Sequence, residues 1–216
     1  MRRIPPALFY RKNVYSQNGE DGVLAELLRR MPNRTQWVCE FGAADGKLYS
    51  NTFRLVESEG YSAVYIEADS ALVEKLRQTA AEHPSILPLH RTVGSTGENA
   101  LDAILATTPI PTEFDVLSID IDSSDYQVWQ ATTAYRPRIV VIEINSSIPP
   151  TVKNSVYGIG STEGTGFRPM VDLGLSKGYT LVCHTGNLIF VRNDLAPLCS
   201  GLLVPPEACY TSNWFF

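Results

Sequence analysis

Four stretches of this sequence carry side chains that could hold a ligand or act on one. The first is Cys39-Glu40-Phe41-Gly42-Ala43-Ala44-Asp45-Gly46, followed by Ser50-Asn51-Thr52. An acid ends an apolar run and small residues follow, so a ligand can approach the backbone where a Cβ would hold it away. The spacing E-x-G-x-x-x-G differs from the G-x-G-x-x-G with which a helix N-terminus grips a diphosphate. It suits a ligand offering cationic groups and hydroxyls instead. The second stretch, Tyr65-Ile66-Glu67-Ala68-Asp69, ends another apolar run about twenty residues further on, where an acid can accept both hydroxyls of a ribose. Asp69 beside Ser70 suits a helix cap, which leaves Glu67 for the ribose.

The third and fourth stretches are Ser118-Ile119-Asp120-Ile121-Asp122-Ser123-Ser124-Asp125-Tyr126 and Glu143-Ile144-Asn145. In a strand, Asp120 and Asp122 point to one face, and like charges so close need water, a proton or a cation between them. If the two runs are neighbouring strands, Asp120 or Asp122 with Glu143 and Asn145 makes an all-oxygen set of the kind Mg²⁺ or Mn²⁺ prefers. Three readings stay open here. A divalent cation at Asp120, Glu143 and Asn145 would lower the pKa of an acceptor hydroxyl. Alternatively, Asp120, Asp122 and Glu143 act without metal as bases or as anchors for a cationic acceptor. Or Asp122 and Asp125 merely cap the next helix. His184, at the end of a later apolar run, is a candidate base or a turn residue, and Tyr126 is a further candidate.

These groups need elements to position them. A helix from about Gly19 to Met31 puts Val23, Leu24, Leu27, Leu28 and Met31 on one face, with Asn18 as its cap and Pro32 as its stop. Strands then alternate with helices. Strand runs start at Trp37, Tyr61, Ser85, Asp115 and Arg138; helices cover Ser50–Gly60, Ala71–Glu82, Glu98–Ala106 and Asp125–Thr132. Continuous apolar strands separated by helices mean a parallel sheet covered on both faces. The tail differs: Gly178–His184 and Asn187–Arg192 are separated only by Thr185 and Gly186, which permits a hairpin but no parallel crossover. From Ser146 to Gly166 no periodic segment is visible, so this stretch reads as a lid, a binding loop or a surface loop after the fifth strand.

With 216 residues, 44% of them hydrophobic, the chain fits one α/β domain, residues 1–216, with a sizeable core. A net charge of -5 argues against a nucleic-acid partner held by phosphate contacts. The start MRRIPPALFYRK lacks the apolar stretch of a secretory signal, and no run approaches the ~20 apolar residues of a membrane span. Cys39, Cys183, Cys199 and Cys209 have no CxxC spacing, and Cys39 and Cys183, within strand-like runs, read as buried free thiols of a cytoplasmic protein. No membrane or nucleic-acid partner is expected, and a homodimer is compatible with the sequence.

Taken in order, Ser16-Gln17-Asn18-Gly19-Glu20-Asp21, EFGAADG with SNT, IEAD, SIDIDSSDY and RPRIVVIEIN resemble the FkbM-type S-adenosylmethionine-dependent methyltransferases, particularly the branch with an SIDIDGxDY segment. The resemblance runs from Ser16 to about Asn145 and continues in the tail. It implies a Rossmann-like class I methyltransferase fold: a mostly parallel seven-stranded sheet with a C-terminal antiparallel hairpin and helices on both faces. It also implies methylation of a small-molecule acceptor, usually at oxygen and at times nitrogen, often in natural-product or sugar pathways. S-adenosylmethionine offers the sulfonium, ammonium and ribose diol that the first loop suits. On matching positions, residues 1–36 would cover the cofactor pocket, with Gln17 and Asp21 helping to close it. The cofactor would touch Glu40, Gly42, Ala43, Asp45, Gly46, Ser50, Asn51, Glu67, Ala68, Thr92 and Asp120, and residues 146–166 would close over the acceptor.

The segment from Asp120 to Tyr126 is also similar to the D-A-D-K-x-x-Y of metal-dependent caffeoyl-CoA and catechol O-methyltransferases. Ser123 stands where that family has lysine, and where the FkbM branch has glycine. Two rival readings accompany the first. One is a metal-dependent nucleotide-sugar transferase using the D-x-D of Asp120 and Asp122. The other is a non-catalytic cofactor-binding relative with Asn213-Trp214-Phe215-Phe216 as a docking strip.

Overall fold

The computed structural model describes residues 4–156 and 164–211. One sheet contains seven strands: β1 Trp37–Phe41, β2 Ser62–Glu67, β3 Ile86–His90, β4 Val116–Ile119, β5 Ile139–Glu143, β6 Tyr179–His184 and β7 Asn187–Arg192. Their order is β3-β2-β1-β4-β5-β7-β6. Strands β1 to β5 are mutually parallel, while β7 runs antiparallel to both neighbours. The two residues between β6 and β7 include Gly186 at φ 106°, a turn too tight for any crossover. The expected seven-stranded sheet with its antiparallel tail is therefore the fold observed.

Helices α1 Glu20–Arg30, α2 Phe53–Glu59, α3 Ser70–Glu82, α4 Leu101–Leu105, α5 Asp125–Ala131, α6 Phe167–Ser176 and α7 Pro206–Cys209 surround the sheet. Successive strand residues face opposite ways and so feed two cores. Val38, Ala63, Tyr65 and Val116 join Leu24, Leu27, Leu28 and Phe53 on one side. Cys39, Phe41, Val64, Ile66, Leu117 and Ile119 join Trp129, Phe167 and Phe190 on the other. Full burial of Leu24, Leu27 and Leu28 contributes about 1.5–3 kcal/mol each toward docking α1. All four cysteines are buried and free, as expected of Cys39 and Cys183. No helix among the described residues is long and apolar enough to cross a membrane.

Several local expectations need correction. Asn18 does not cap α1: the cap position is Gly19 at φ 96°, with no side-chain bond from it. Instead the Gly19 N–H donates to Asn13 Oδ1, and the Asn18 N–H donates to Glu20 Oε2. The helix expected over Glu98–Ala106 is split by extended Ala100 into a 3₁₀ turn, Gly97–Asn99, and α4. Helix α6 has no counterpart in the sequence reading. Its Pro169 falls in the first turn, where proline is tolerated, and Gly174 is needed because a Cβ there would lie 2.5 Å from the Phe190 ring. Strand β4 stops at Ile119, so Asp120 and Asp122 lie in the loop beyond it rather than within a strand. The aromatic end, residues 213–216, lies outside the described residues, as does part of the expected lid, residues 157–163.

Candidate functional site

Register decides which side chains meet. Ile119 of β4 pairs with Ile142 of β5, so one step further Asp120 comes level with Glu143. Asp122 reaches the same place by another route, turning back at φ 56° in the left-handed region that aspartate enters more readily than most residues. The carboxylates of Asp120, Asp122 and Glu143 lie within 4.8 Å of one another. Burial and their mutual repulsion push Asp120 and Glu143 well above the usual carboxylate range. The arrangement favours whatever supplies positive charge or a shared proton.

This trio belongs to the floor of a ≈ 770 Å³ cleft at the carboxyl edge of β4 and β5. Ligand clefts commonly have this size, and open α/β sheets bind ligands at this edge. Its walls come from Ser16, Gln17 and Tyr49 on one side and Asn145, Ser146 and Gly164 on the other. Asp125 also lines it, but Oδ1 accepts the Ile121 N–H at 2.9 Å and Oδ2 accepts the Ser123 N–H at 3.1 Å. Asp125 therefore shapes the 120–124 loop instead of capping α5 from the N-cap position, which Ser124 occupies. Asn145, expected among metal ligands, faces the cleft but directs Oδ1 to the Ser147 N–H. The carboxylate set in the structure is thus Asp120, Asp122 and Glu143.

The glycine loop sits beside this floor. Phe41 pairs with Ile66, which brings Gly42 level with Glu67, and also with Ile119, which brings it level with Asp120. Gly42 has φ 73°, and a Cβ on it would lie 1.7 Å from the Asp120 carbonyl oxygen. Only glycine allows this approach. Glu40 is fully buried and committed within the loop. It accepts from Ser50 Oγ at 2.7 Å, from Thr52 Oγ1, and from the backbone N–H groups of Asn51 and Thr52. Burial pushes Glu40 up, and these donors oppose the rise. Asn51 Nδ2 then donates to Ser118 Oγ at 3.0 Å, tying the loop to β4. Glu40, Ser50 and Asn51, all expected cofactor contacts, thus form the frame of the loop. Asp45 accepts the Lys47 and Leu48 N–H groups, and Gly46, at φ 81°, packs over Leu76.

Glu67 holds the other side of the loop. Oε2 accepts the Ala44 N–H, and Oε1 accepts those of Ala68 and Asp69, each at 2.8 Å. Asp69 is the N-cap of α3, accepting from Ala71 and Leu72, as the sequence suggested. Thr92 is exposed beyond β3. Asp21 does not line the cleft directly. Its Oδ2 gathers the N–H groups of Val14, Tyr15 and Ser16 and the Ser16 hydroxyl, and so folds the segment that carries Ser16 and Gln17 into the wall.

His184 does not reach the cleft. It is fully buried, stacks on Tyr210 at 5.6 Å between ring centres, and is pulled down to about 4 by burial. Its Nδ1 accepts the Thr211 N–H, which leaves the proton on Nε2, 2.7 Å from Ser146 Oγ. Ser146 in turn donates to the Gly186 carbonyl at 2.9 Å. His184 is therefore a donor that sets Ser146, not a base exposed to a ligand. Sequence reasoning missed Asn13, Asn18, Tyr49 and Asn187 in the lining, whereas Ser146 begins the stretch it read as a binding loop. Tyr49, an aromatic inside a loop of small residues, was a readable signal; Asn187 faces Glu143 only through the β5–β7 pairing.

No protein-family model matches the chain, and no curated protein matches it in sequence. Solved structures share its fold. The CMeT domain of the citrinin polyketide synthase has a TM-score of 0.52 at 15% identity, covering 80% of this chain and 51% of that one. The N-terminal domain of EvdMO1, in the presence of SAH and D-fucose, has a TM-score of 0.53 at 9% identity, covering 80% and 82%. The CurJ carbon methyltransferase has a TM-score of 0.55 at 10% identity, covering 87% and 57%. The chain thus spans about half the length of the first of these structures. At such identities the likeness establishes the fold alone: the sheet and its helices have the Rossmann-like arrangement of these structures.

Proposed function

We propose that this protein transfers a methyl group from S-adenosylmethionine to a small-molecule acceptor bound in the cleft above β4 and β5. One observation carries the reading. The register of β1, β2, β4 and β5 sets the glycine loop, Glu67 and the Asp120–Glu143 pair side by side at the carboxyl edge of the sheet. The residues present suit the cofactor's chemistry. Glu67 uses three of its acceptor sites on backbone N–H groups and keeps capacity for a ribose hydroxyl. Gly42 and the small residues after it leave the backbone open to close approach. EvdMO1, which shares the fold, was crystallised in the presence of SAH.

When bound, the cofactor supplies an electrophilic methyl group on a cationic sulfur. The chain's own contribution is alignment, since holding two reactants in line can supply much of a displacement barrier. In this reading Gly42, Ala43 and Ala68 flank the donor and Glu67 orients its ribose. Gln17 and Ser16 bound the cleft on the amino-terminal side, and Ser146, Ser147 and Gly164 line it after β5. Asp120 and Glu143 face the acceptor and take or share its proton. Isothermal titration with S-adenosylhomocysteine tests the donor site. Saturable one-to-one binding, weakened by Glu67→Ala, is expected; silence at millimolar ligand in the folded protein ends the reading.

A further inference from the structure

The chemistry of the cleft narrows the acceptor, on the assumption that the cleft is the acceptor site of a methyltransferase. None of the described residues that line it is a lysine, arginine or histidine, while Asp120, Asp122 and Glu143 converge on its floor. The groups around them are neutral and polar, Ser16, Gln17, Asn18 and Asn145 among them. Ser146 donates its only hydroxyl proton to the Gly186 carbonyl, so toward the cleft it can only accept.

An independent feature stands at the mouth. Tyr49 lines the cleft with 59% of its surface exposed, beside Leu48 at 60%. An open aromatic side chain lining the same cleft as an acidic cluster is a combination that receives alkylated ammonium groups, through the ring quadrupole as well as through charge.

We propose that the acceptor is an amine that enters as an ammonium ion, its nitrogen held by Asp120, Asp122 and Glu143 in the cleft that Tyr49 also lines, and that the enzyme methylates nitrogen. Sequence resemblance pointed to oxygen; the charge of the cleft points to nitrogen. Acceptors carried on coenzyme A or a nucleotide bring phosphates, which would face three carboxylates with no cation among the described lining residues, so the same surface excludes them. The step balances. The ammonium gives one proton to a carboxylate of the Asp120–Glu143 pair on the cleft floor. The freed lone pair forms the nitrogen–carbon bond as the carbon–sulfur bond breaks. The sulfonium leaves as a neutral thioether, and the positive charge passes to the nitrogen.

The test compares tyramine with N-acetyltyramine, and glucosamine with N-acetylglucosamine, by calorimetric titration into the protein with and without S-adenosylhomocysteine. Each amine should bind at least about tenfold more tightly than its neutral derivative. Asp122→Asn, at an exposed position where asparagine tolerates the left-handed backbone, should erase that preference while leaving thermal stability unchanged. Tyr49→Leu should weaken both amines. Equal binding of amine and acetyl derivative, or no amine binding, overturns the proposal. So does saturation by Mg²⁺ that is abolished in Asp122→Asn, since the trio would then be a metal site. Loss of S-adenosylhomocysteine binding alone removes the donor reading, and the amine preference is then still read on the protein without it.

Discussion

Replacing Gly42 by alanine tests the contact that joins the glycine loop to the acidic floor. Two penalties add at this position. The left-handed backbone at φ 73° costs an L side chain about 1–2 kcal/mol. The new methyl would also sit 1.7 Å from the Asp120 carbonyl oxygen, a backbone atom that cannot rotate away, and such overpacking costs about 1–3 kcal/mol more. The total is roughly 2–5 kcal/mol, equivalent to about 4–20 °C in melting temperature for a chain of this size. Gly60 provides the control. It has φ 71°, but nothing lies within 4 Å of a Cβ there, so Gly60→Ala carries the backbone penalty alone. Urea unfolding of both variants beside the parent measures the difference, which isolates the clash. Equal losses for Gly42→Ala and Gly60→Ala would refute the close approach of β1's loop to β4, and with it the placing of donor beside acceptor.

Other consequences follow from single side chains. Asp69→Ala should lose about 1 kcal/mol of stability through the α3 cap while leaving S-adenosylhomocysteine affinity intact, in contrast to Glu67→Ala; thermal melts and titrations of both separate the roles. Glu40→Ala removes the buried acceptor that Ser50, Asn51 and Thr52 share and should cost about 2–4 kcal/mol in urea titrations, and Glu40→Gln less. His184 is held neutral by burial, so its folded pKa, about 4, lies below the unfolded value. The stability this contributes is complete above about pH 6.5 and is lost as pH falls toward 4, up to about 3 kcal/mol. Unfolding free energies of the parent and of His184→Gln should converge across that window as pH falls. A constant difference between them would show that the histidine does not titrate on unfolding.

The sheet was readable because its strands are short apolar runs bounded by turn residues, and because Thr185-Gly186 leaves no room for a crossover. Helix α6 was not, since Pro169 and Gly174 suppress its local signal and packing against Phe190 creates it. At the site, Glu67, Asp120, Asp122 and Glu143 stood out as acids at the ends of apolar runs. Their meeting, however, depends on the Ile119–Ile142 and Phe41–Ile66 registers, which are tertiary facts. Glu40 reads from sequence as a ligand contact; its part as the loop's internal anchor was not legible, because it depends on Ser50, Asn51 and Thr52 folding back onto it. His184 reads as a base because a lone histidine at a strand end invites it; the β6 edge, covered by Tyr210 and Thr211, buries it.

The central claim is that the donor lies in the bend between Gly42 and Gly46, next to the acidic floor. A crystal grown with S-adenosylhomocysteine tests it most directly. The account predicts the ribose hydroxyls on Glu67 and the thioether sulfur facing Asp120 across the cleft. A ligand bound elsewhere on the chain, or a bend left empty at saturating ligand, would contradict it.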